Sequence, residues 1–257
     1  MLKHRWVKPL NLAFAGLSLV YALFGGSLLW FVSSGIIALA LTAWGVFDIR
    51  LSYFMPVFYR EKNCSTKRVA LTFDDGPSDY TSEILDLLYE FDSKATFFCI
   101  GIHVERLPQV VQRMLLEGHT IANHTLSHER HFGFLPVTRL MKEIDSCTEV
   151  IAHAVGKRPV LFRPPFGVTN PSVAKAVKSL ELQAIGWSNR SLDTVIDNEE
   201  KLFRRVVGRL RPGDIILLHD TKLRTARVLR RILLHLKAEG YSCVSVDDLL
   251  NLQAYEG

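Results

Sequence analysis

Charge is missing from one long stretch of this chain. Of its 257 residues, the 38 from Leu10 to Phe47 include no Asp, Glu, Lys, Arg or His. As a single helix they would run about 57 Å, nearly two hydrocarbon thicknesses, which excludes one straight membrane span. Gly25-Gly26-Ser27 sits near the middle and offers a turn, so the stretch divides into two short spans at about 7–24 and 28–47. Trp6, Trp30 and Trp44 are placed to act as interface anchors. A cleaved signal peptide fits poorly, because the run is too long and lacks a small-x-small exit. A buried hairpin of a soluble protein is the plainer alternative, and the absence of charge counts against it.

Cysteine is also scarce. Cys64, Cys99, Cys147 and Cys243 show no zinc-knuckle or redox spacing and read as reduced, structural thiols. There is no repeat and no low-complexity tract. The net charge of +5 is uneven: Lys3, Arg5, Lys8 and Arg50 against Asp48 leave +3 in residues 1–50, so only +2 remains for the rest. A nearly neutral main body carries no electrostatic footprint for nucleic acid. The basic N-terminus reads as a membrane flank. A hairpin returns both flanks to one side, and Arg50, Arg60, Lys62, Lys67 and Arg68 follow it, so the charge bias favours the cytoplasmic side. A single span at 28–47, with the first segment lying in the interface, would instead export the main domain.

Beyond the apolar stretch, residues 48–66 read as a juxtamembrane linker and 67–257 as the catalytic domain, with 1–47 as the membrane segment. Short apolar runs predict strands at Val69–Phe73, Ala95–Ile100, Thr120–Asn123, Val160–Phe162, Gln183–Trp187, Asp214–Leu218 and Ser242–Val246. Helical patterns fall between them near 80–91, 104–117, 137–155, 171–180, 199–210 and 223–239. The alternation implies an α/β fold with a parallel sheet, and seven strands suggest a deformed, incomplete (β/α)7 barrel behind the hairpin. Polar motifs fall at the ends of five of these strands: Asp74-Asp75 after the first, His124 after the third, Arg163 after the fourth, Asp193 in the loop after the fifth, and His219 ending the sixth. In a parallel barrel all strand C-termini open on one face, where loops build the active site.

His124 and His128 are four residues apart, so a helical turn would point both imidazoles the same way. With one added carboxylate they would form an open coordination set of the catalytic kind, suited to Zn²⁺, with Co²⁺, Mn²⁺, Ni²⁺ or Fe²⁺ as alternatives. Alone, His-x-x-x-His is more often a pair of surface histidines. Asp74 and Asp75 are consecutive at a strand end, so their side chains should diverge and divide their labour. Alone, Asp-Gly-Pro is ordinary turn chemistry.

Together and in order, Thr72-Phe73-Asp74-Asp75-Gly76, His124-Thr125-Leu126-Ser127-His128, Arg163-Pro164-Pro165-Phe166, Asp193 and Leu217-Leu218-His219-Asp220 resemble the polysaccharide deacetylase family, also called NodB-homology or chitin deacetylase-like. The resemblance runs from about Val69 to Leu250, roughly seven tenths of the chain. It implies one divalent metal ion on Asp75, His124 and His128. It also implies Asp74 as general base, Arg163 as the partner that keeps Asp74 ionised, and His219 as the general acid held by Asp193. The backbone N–H of Phe166 would help to stabilise an oxyanion, and Leu217 would line the acyl pocket, with Trp187 and Arg190 beside it.

One departure bears on the substrate. The family motif around Asp193 often reads Asp-x-x-Asp-Trp, whereas here Arg190 and Thr194 occupy the outer positions. The groove loses a stacking wall and gains a cation, which suits a substrate bearing phosphate or carboxylate. The resemblance implies removal of N-acetyl groups from an amino sugar in a polysaccharide or glycoconjugate. The alternative is a deacylase or deformylase of an amino sugar on polyprenyl phosphate at the cytoplasmic membrane face. A non-catalytic glycan-binding protein would have no use for the base and acid. A non-haem iron oxygenase shares the two-histidine, one-carboxylate set but gives no role to Arg163 and Asp193. Family substrates in the cell wall favour the extracytoplasmic side, against the charge bias.

Overall fold

The computed structural model describes residues 3–257. Two helices, α1 (His4–Leu23) and α2 (Leu29–Phe47), pack as an N-terminal hairpin close to the expected 7–24 and 28–47. Each is long and apolar enough to cross a membrane, and only 11% of either apolar window is buried, unlike the core helices of a globular domain. The turn depends on glycine: Gly25 has φ +87°, and a Cβ on Gly26 would meet the Tyr21 ring at 2.4 Å. Trp6 and Trp44 lie towards the open end of the hairpin and Trp30 near its turn.

The open end is fastened to the rest of the protein. The Thr169 N–H and hydroxyl donate to the Val46 and Gly45 carbonyls at 3.0 and 3.1 Å, and the His4 N–H donates to the Tyr53 carbonyl at 2.9 Å. The two Thr169 bonds use carbonyls that the last turn of α2 cannot satisfy internally.

The main body alternates strand and helix: β1 (Arg68–Asp74), α3 (Thr81–Glu90), β2 (Ala95–Cys99), α4 (Gly101–Arg106), α5 (Pro108–Leu116), β3 (Thr120–Asn123), α6 (Val137–Val155), β4 (Leu161–Phe162), α7 (Pro171–Ser179), β5 (Gln183–Ala184), β6 (Asn189–Arg190), α8 (Glu199–Val207), β7 (Ile215–His219), α9 (Leu223–Ala238), β8 (Ser242–Val244) and α10 (Val246–Leu250). The strands pair in the order β5-β4-β3-β2-β1-β7-β6, all parallel, and β8 pairs with the first residues of β1. This is a deformed, incomplete (β/α)7 barrel. Both faces of its central strands are covered, which is why Val-Ala-Leu-Thr-Phe in β1 reads as a continuous rather than an alternating run. One face packs Leu71, Phe73, Phe97 and Ile216 against the helices, and the other turns Ala70, Phe98, Phe162 and Leu217 into the barrel.

Three local differences from the sequence reading have physical causes. The helix expected over 104–117 breaks at Leu107, because Pro108 cannot donate a backbone bond and disfavours helical geometry in the residue before it. The strand expected through Trp187 stops at Ala184, and β6 follows as a two-residue strand too short to show a period. The last strand stops at Val244, because Ser245 caps α10 by accepting from the Asp248 N–H.

Residues 48–66 lie along the open seam of the barrel. Phe58 exchanges backbone bonds with Ala184 and Gly186 at 3.0 and 2.7 Å, and the Glu61 N–H donates to Gly213 at 2.8 Å. Ile49, Met55 and Val57 complete the barrel interior. The seam between the sheet's two edges, β5 on one side and β6 with the start of β7 on the other, is thus filled by the segment that leaves the hairpin.

Candidate active site

Register places the polar motifs at one level. Asp74 at the end of β1 pairs with His219 at the end of β7, and Asn123, just before His124, pairs with Phe162, just before Arg163. Five non-glycine residues in the loops at this end have left-handed backbones: Asp75 (φ 72°), Thr125 (71°), His128 (51°), Phe166 (58°) and Leu192 (63°). Each such residue costs on the order of 1–3 kcal/mol, a strain that concentrates at functional sites.

Asp74 and Asp75 diverge. Asp74 is buried, and its Oδ1 accepts from Arg163 Nη1 at 2.6 Å. Arg163 is fully buried, and its remaining donors reach the Thr72 hydroxyl, the Gly186 carbonyl and the Ile185 carbonyl at 2.8, 2.8 and 3.2 Å. Its guanidinium lies 3.9 Å over the Phe98 ring. Burial works against the arginine's charge, and the Asp74 carboxylate opposes that effect.

The left-handed turn at Asp75 sends its carboxylate the other way. Oδ1 lies 3.4 Å from His124 Nε2 and 3.5 Å from His128 Nε2, and Oδ2 lies 3.9 Å from His219 Nε2. Burial resists the Asp75 charge, but the His124 hydrogen bond and the surrounding imidazoles hold its carboxyl well below the usual range. His124 Nδ1 sits 2.7 Å from the Arg163 carbonyl. A carbonyl only accepts, so Nδ1 carries a proton, and Nε2 is the nitrogen turned towards Asp75. Burial, and then the charge of His124, pull His128 down to about 4, so it is neutral at pH 7.

The two imidazoles do converge, with ring centroids 4.9 Å apart, but not on a helical turn as the spacing suggested. Residues 124–128 form a loop whose left-handed Thr125 and His128 aim both rings inward. Asp75, His124 and His128 each offer a ligand atom, all within 4.8 Å of one another. Two imidazole nitrogens and a carboxylate oxygen suit a divalent cation and leave positions open.

His219 faces this group from the opposite wall. Its Nδ1 lies 2.8 Å from Asp193 Oδ1, and its backbone N–H donates to Asp193 Oδ2 at 2.8 Å. Asp193 also accepts from the Ser191 and Thr225 hydroxyls at 2.9 and 3.0 Å. Burial opposes the His219 charge, yet the hydrogen bond and charge of Asp193 push its pKa up to about 9. Asp193, though buried, is held below the usual carboxylate range by the same pair.

The pocket residues divide between two places. The Phe166 ring packs edge-on to His128 at 4.8 Å and stays half exposed, forming a rim, and its N–H has no protein acceptor among the described residues. Leu217 is buried in the barrel interior. Trp187 is buried between Gly167, where a Cβ would lie 2.4 Å from the indole, and the Arg163 guanidinium at 5.7 Å. Arg190 is exposed and also lies 5.7 Å over Trp187, opening onto a separate pocket at the foot of α2.

Three supporting residues were given no role by the sequence reading. His103 Nδ1 lies 2.9 Å from the Asp75 carbonyl. Glu143 accepts from the Ser127 N–H and hydroxyl at 3.1 and 2.8 Å, bracing the loop that carries His128. Its signal was available: Glu143 falls on the apolar stripe of α6 with Leu140, Ile144 and Cys147. Asp220 accepts from the Thr81 hydroxyl at 2.5 Å, and burial pushes its carboxyl up to about 7.

Comparison with known proteins agrees with this geometry. Residues 61–185 match the family model described as polysaccharide deacetylase. The peptidoglycan-N-acetylglucosamine deacetylase of Bacillus cereus is 39% identical over 190 residues, covering 72% of this chain and 88% of that protein. The peptidoglycan-N-acetylmuramic acid deacetylase PdaA of Bacillus subtilis is 34% identical over 193 residues, covering 73% of each. The crystal structure of the Bc1960 peptidoglycan N-acetylglucosamine deacetylase superposes with a TM-score of 0.74 at 28% identity, covering 78% of this chain and 95% of that one.

Proposed function

The chain belongs to the polysaccharide deacetylase family, and from that premise we propose that it hydrolyses the N-acetyl amide of an amino sugar in a polymer or glycoconjugate. One observation carries the proposal: two separately braced pairs, Arg163–Asp74 and Asp193–His219, face each other across the Asp75, His124 and His128 group. Binding alone would need neither pair.

Asp75, His124 and His128 would hold one divalent cation, Zn²⁺ first among Co²⁺, Mn²⁺, Ni²⁺ and Fe²⁺. When bound, the cation supplies Lewis acidity towards the acyl carbonyl and the attacking water. Asp74 takes a proton from that water, and Arg163 holds and aims the carboxylate. The Phe166 N–H donates to the oxygen that gains charge as the carbonyl carbon becomes tetrahedral. His219 then delivers a proton to the nitrogen as the C–N bond breaks, so that acetate and a free amine leave. Leu217 receives the acyl methyl, and Trp187 walls the pocket.

Residues 1–47 serve as the membrane anchor, 48–66 as the connection and 67–257 as the catalytic domain, at the cytoplasmic membrane. The relatives act on either of two sugars in peptidoglycan, so the family does not choose the sugar. A second reading keeps the chemistry and moves it to an N-acylated sugar carried on polyprenyl phosphate at the cytoplasmic face. The basic residues Arg50, Arg60, Lys62, Lys67 and Arg68 that follow the hairpin favour it.

The test is acetate release by the purified full chain, loaded with Zn²⁺, from peptidoglycan, N-acetylglucosamine oligomers and a prenyl-phosphate-linked N-acetyl sugar. Turnover of none of the three, with metal bound, would reject the hydrolase. The membrane face is read by labelling single surface cysteines, in a background without the native four, using an impermeant maleimide on intact and permeabilised cells.

A further inference from the structure

A pocket of about 400 Å³ lies where α2 meets the catalytic domain, apart from the hydrolytic group and separated from it by the Trp187 indole. Four of its lining residues are arginines from three elements: Arg50 after α2, Arg190 on β6, and Arg205 and Arg209 at the end of α8. Arg50 is neutralised by Asp48, whose Oδ2 lies 2.7 Å away. Arg190, Arg205 and Arg209 have no carboxylate within ion-pair distance among the described residues.

That arrangement is unusual for this protein. On the same helix, Arg204 is paired with Glu200 at 2.5 Å, so α8 does neutralise a cation where none is needed. The C-terminal end of α8 favours Arg205 and Arg209, because unpaired carbonyls there attract positive charge. It does nothing for Arg190, which comes from a strand. Burial first, and then the charges of Arg209 and Arg190, work against the protonation of Arg205, so the three repel one another. Arg205 spends its Nε on the Arg190 carbonyl at 2.9 Å, leaving its terminal nitrogens to the pocket, and Trp187 supports the Arg190 guanidinium.

The remaining wall says where the missing anion comes from. Trp44 and Phe47, in the last turn of α2, line the same pocket. A tryptophan at the end of a membrane-length apolar helix sits at headgroup depth, where lipid phosphates are. Guanidinium forks match phosphate oxygens two at a time, which a lysine ammonium cannot.

We propose that Arg190, Arg205 and Arg209 form a binding site for a phosphate carried by a membrane lipid, at the junction of the anchor and the catalytic domain. Two sources share this chemistry: the headgroup of an anionic phospholipid, and the phosphate of a prenyl-linked sugar presented to the nearby active site. The inference rests on the hairpin lying in a bilayer, as proposed above, and alkaline extraction of membranes tests that separately. It does not require turnover, so it stands or falls apart from the hydrolase reading.

The experiment is native mass spectrometry of the full chain in neutral detergent, titrated with dioleoylphosphatidic acid, farnesyl phosphate and, as a zwitterionic control, dioleoylphosphatidylcholine. Retention of one or both anionic lipids over the control is expected, weakened about tenfold or more by R205Q/R209Q. The pair K175Q/K178Q, which removes the same charge from α7, should leave binding within about twofold. Retention of phosphatidic acid alone assigns the site to headgroups, and displacement by farnesyl phosphate assigns it to a prenyl-borne phosphate. Equal binding by R205Q/R209Q, an equal loss in the lysine variant, or no preference over the zwitterionic lipid would overturn the proposal. If R205Q/R209Q does not fold, R190Q at the exposed strand position gives the same reading.

Discussion

His219 and Asp193 are joined twice. The carboxylate meets the ring Nδ1 at 2.8 Å and the backbone N–H of the same histidine at 2.8 Å. The double contact fixes the ring orientation and its tautomer, so Nε2 is the nitrogen turned towards Asp75. An acid placed by its own backbone partner cannot swing away when it gives up its proton.

Substituting Asp193 by Asn should therefore move the alkaline limb of the pH profile. In the proposed mechanism the protonated form of His219 is the working one, so activity should fall as pH rises through its pKa. Asp193 is the main influence raising that pKa to about 9, against burial. A cation held by Asp75 opposes protonation, so the limb of the loaded enzyme lies below 9. In D193N the limb should shift further down, with kcat lowered on the order of 10²-fold or more. An unchanged limb measured by acetate release across pH 6–10 would remove Asp193 from this role.

Asp74 and Asp75 should separate binding from turnover. Asp75→Ala and His124→Ala are expected to lose bound metal and activity together. Asp74→Asn should keep the metal and lose about 10²–10⁴-fold in turnover. Metal content by plasma emission, read beside acetate release, decides it. Loss of metal in D74N would mean the two carboxylates are assigned the wrong way round.

Arg163→Ala should be costly to the fold as well as to the reaction. The side chain is fully buried, and its loss leaves the Asp74 carboxylate buried without its partner. Breaking one half of a buried pair costs about 3–5 kcal/mol. Thermal unfolding should show a clear drop in Tm, and Arg163→Lys should recover only part of it, since one ammonium cannot reach Asp74, Thr72 and Gly186 together.

Glu143→Ala tests the brace behind His128. Its carboxylate accepts both the N–H and the hydroxyl of Ser127, one residue before the imidazole. Metal affinity should weaken about 10–100-fold, as for other residues that orient a ligand from behind. Competition with a chromophoric chelator measures it. Unaltered affinity would show that Thr125, whose hydroxyl accepts from the His128 N–H at 3.1 Å, suffices alone.

Much of this protein follows from residue order alone. The uncharged stretch with its central glycines determined two helices, and the observed spans differ from the expected ones by only a few residues at any end. The alternation of apolar runs and helical periods determined the parallel barrel, because strands buried on both faces leave a continuous signal. The order of the polar motifs placed each at a strand end, and strand ends in a parallel barrel share one face.

Tertiary structure decided the rest. Whether His124 and His128 converge depended on the left-handed backbones of Thr125 and His128, which spacing does not encode. Glu143 and His103 act through contacts between separate elements, so even the carboxylate on the apolar stripe of α6 does not by itself name its partner Ser127. Residues 49–61 look like a polar-flanked connection, yet they fill the barrel seam, because the gap between the two edges of the sheet exists only once the sheet has curled. Arg190 stood in the sequence as a cation near the acid motif. Only the folded chain sets it against Trp187, among arginines from two other segments, at the foot of α2.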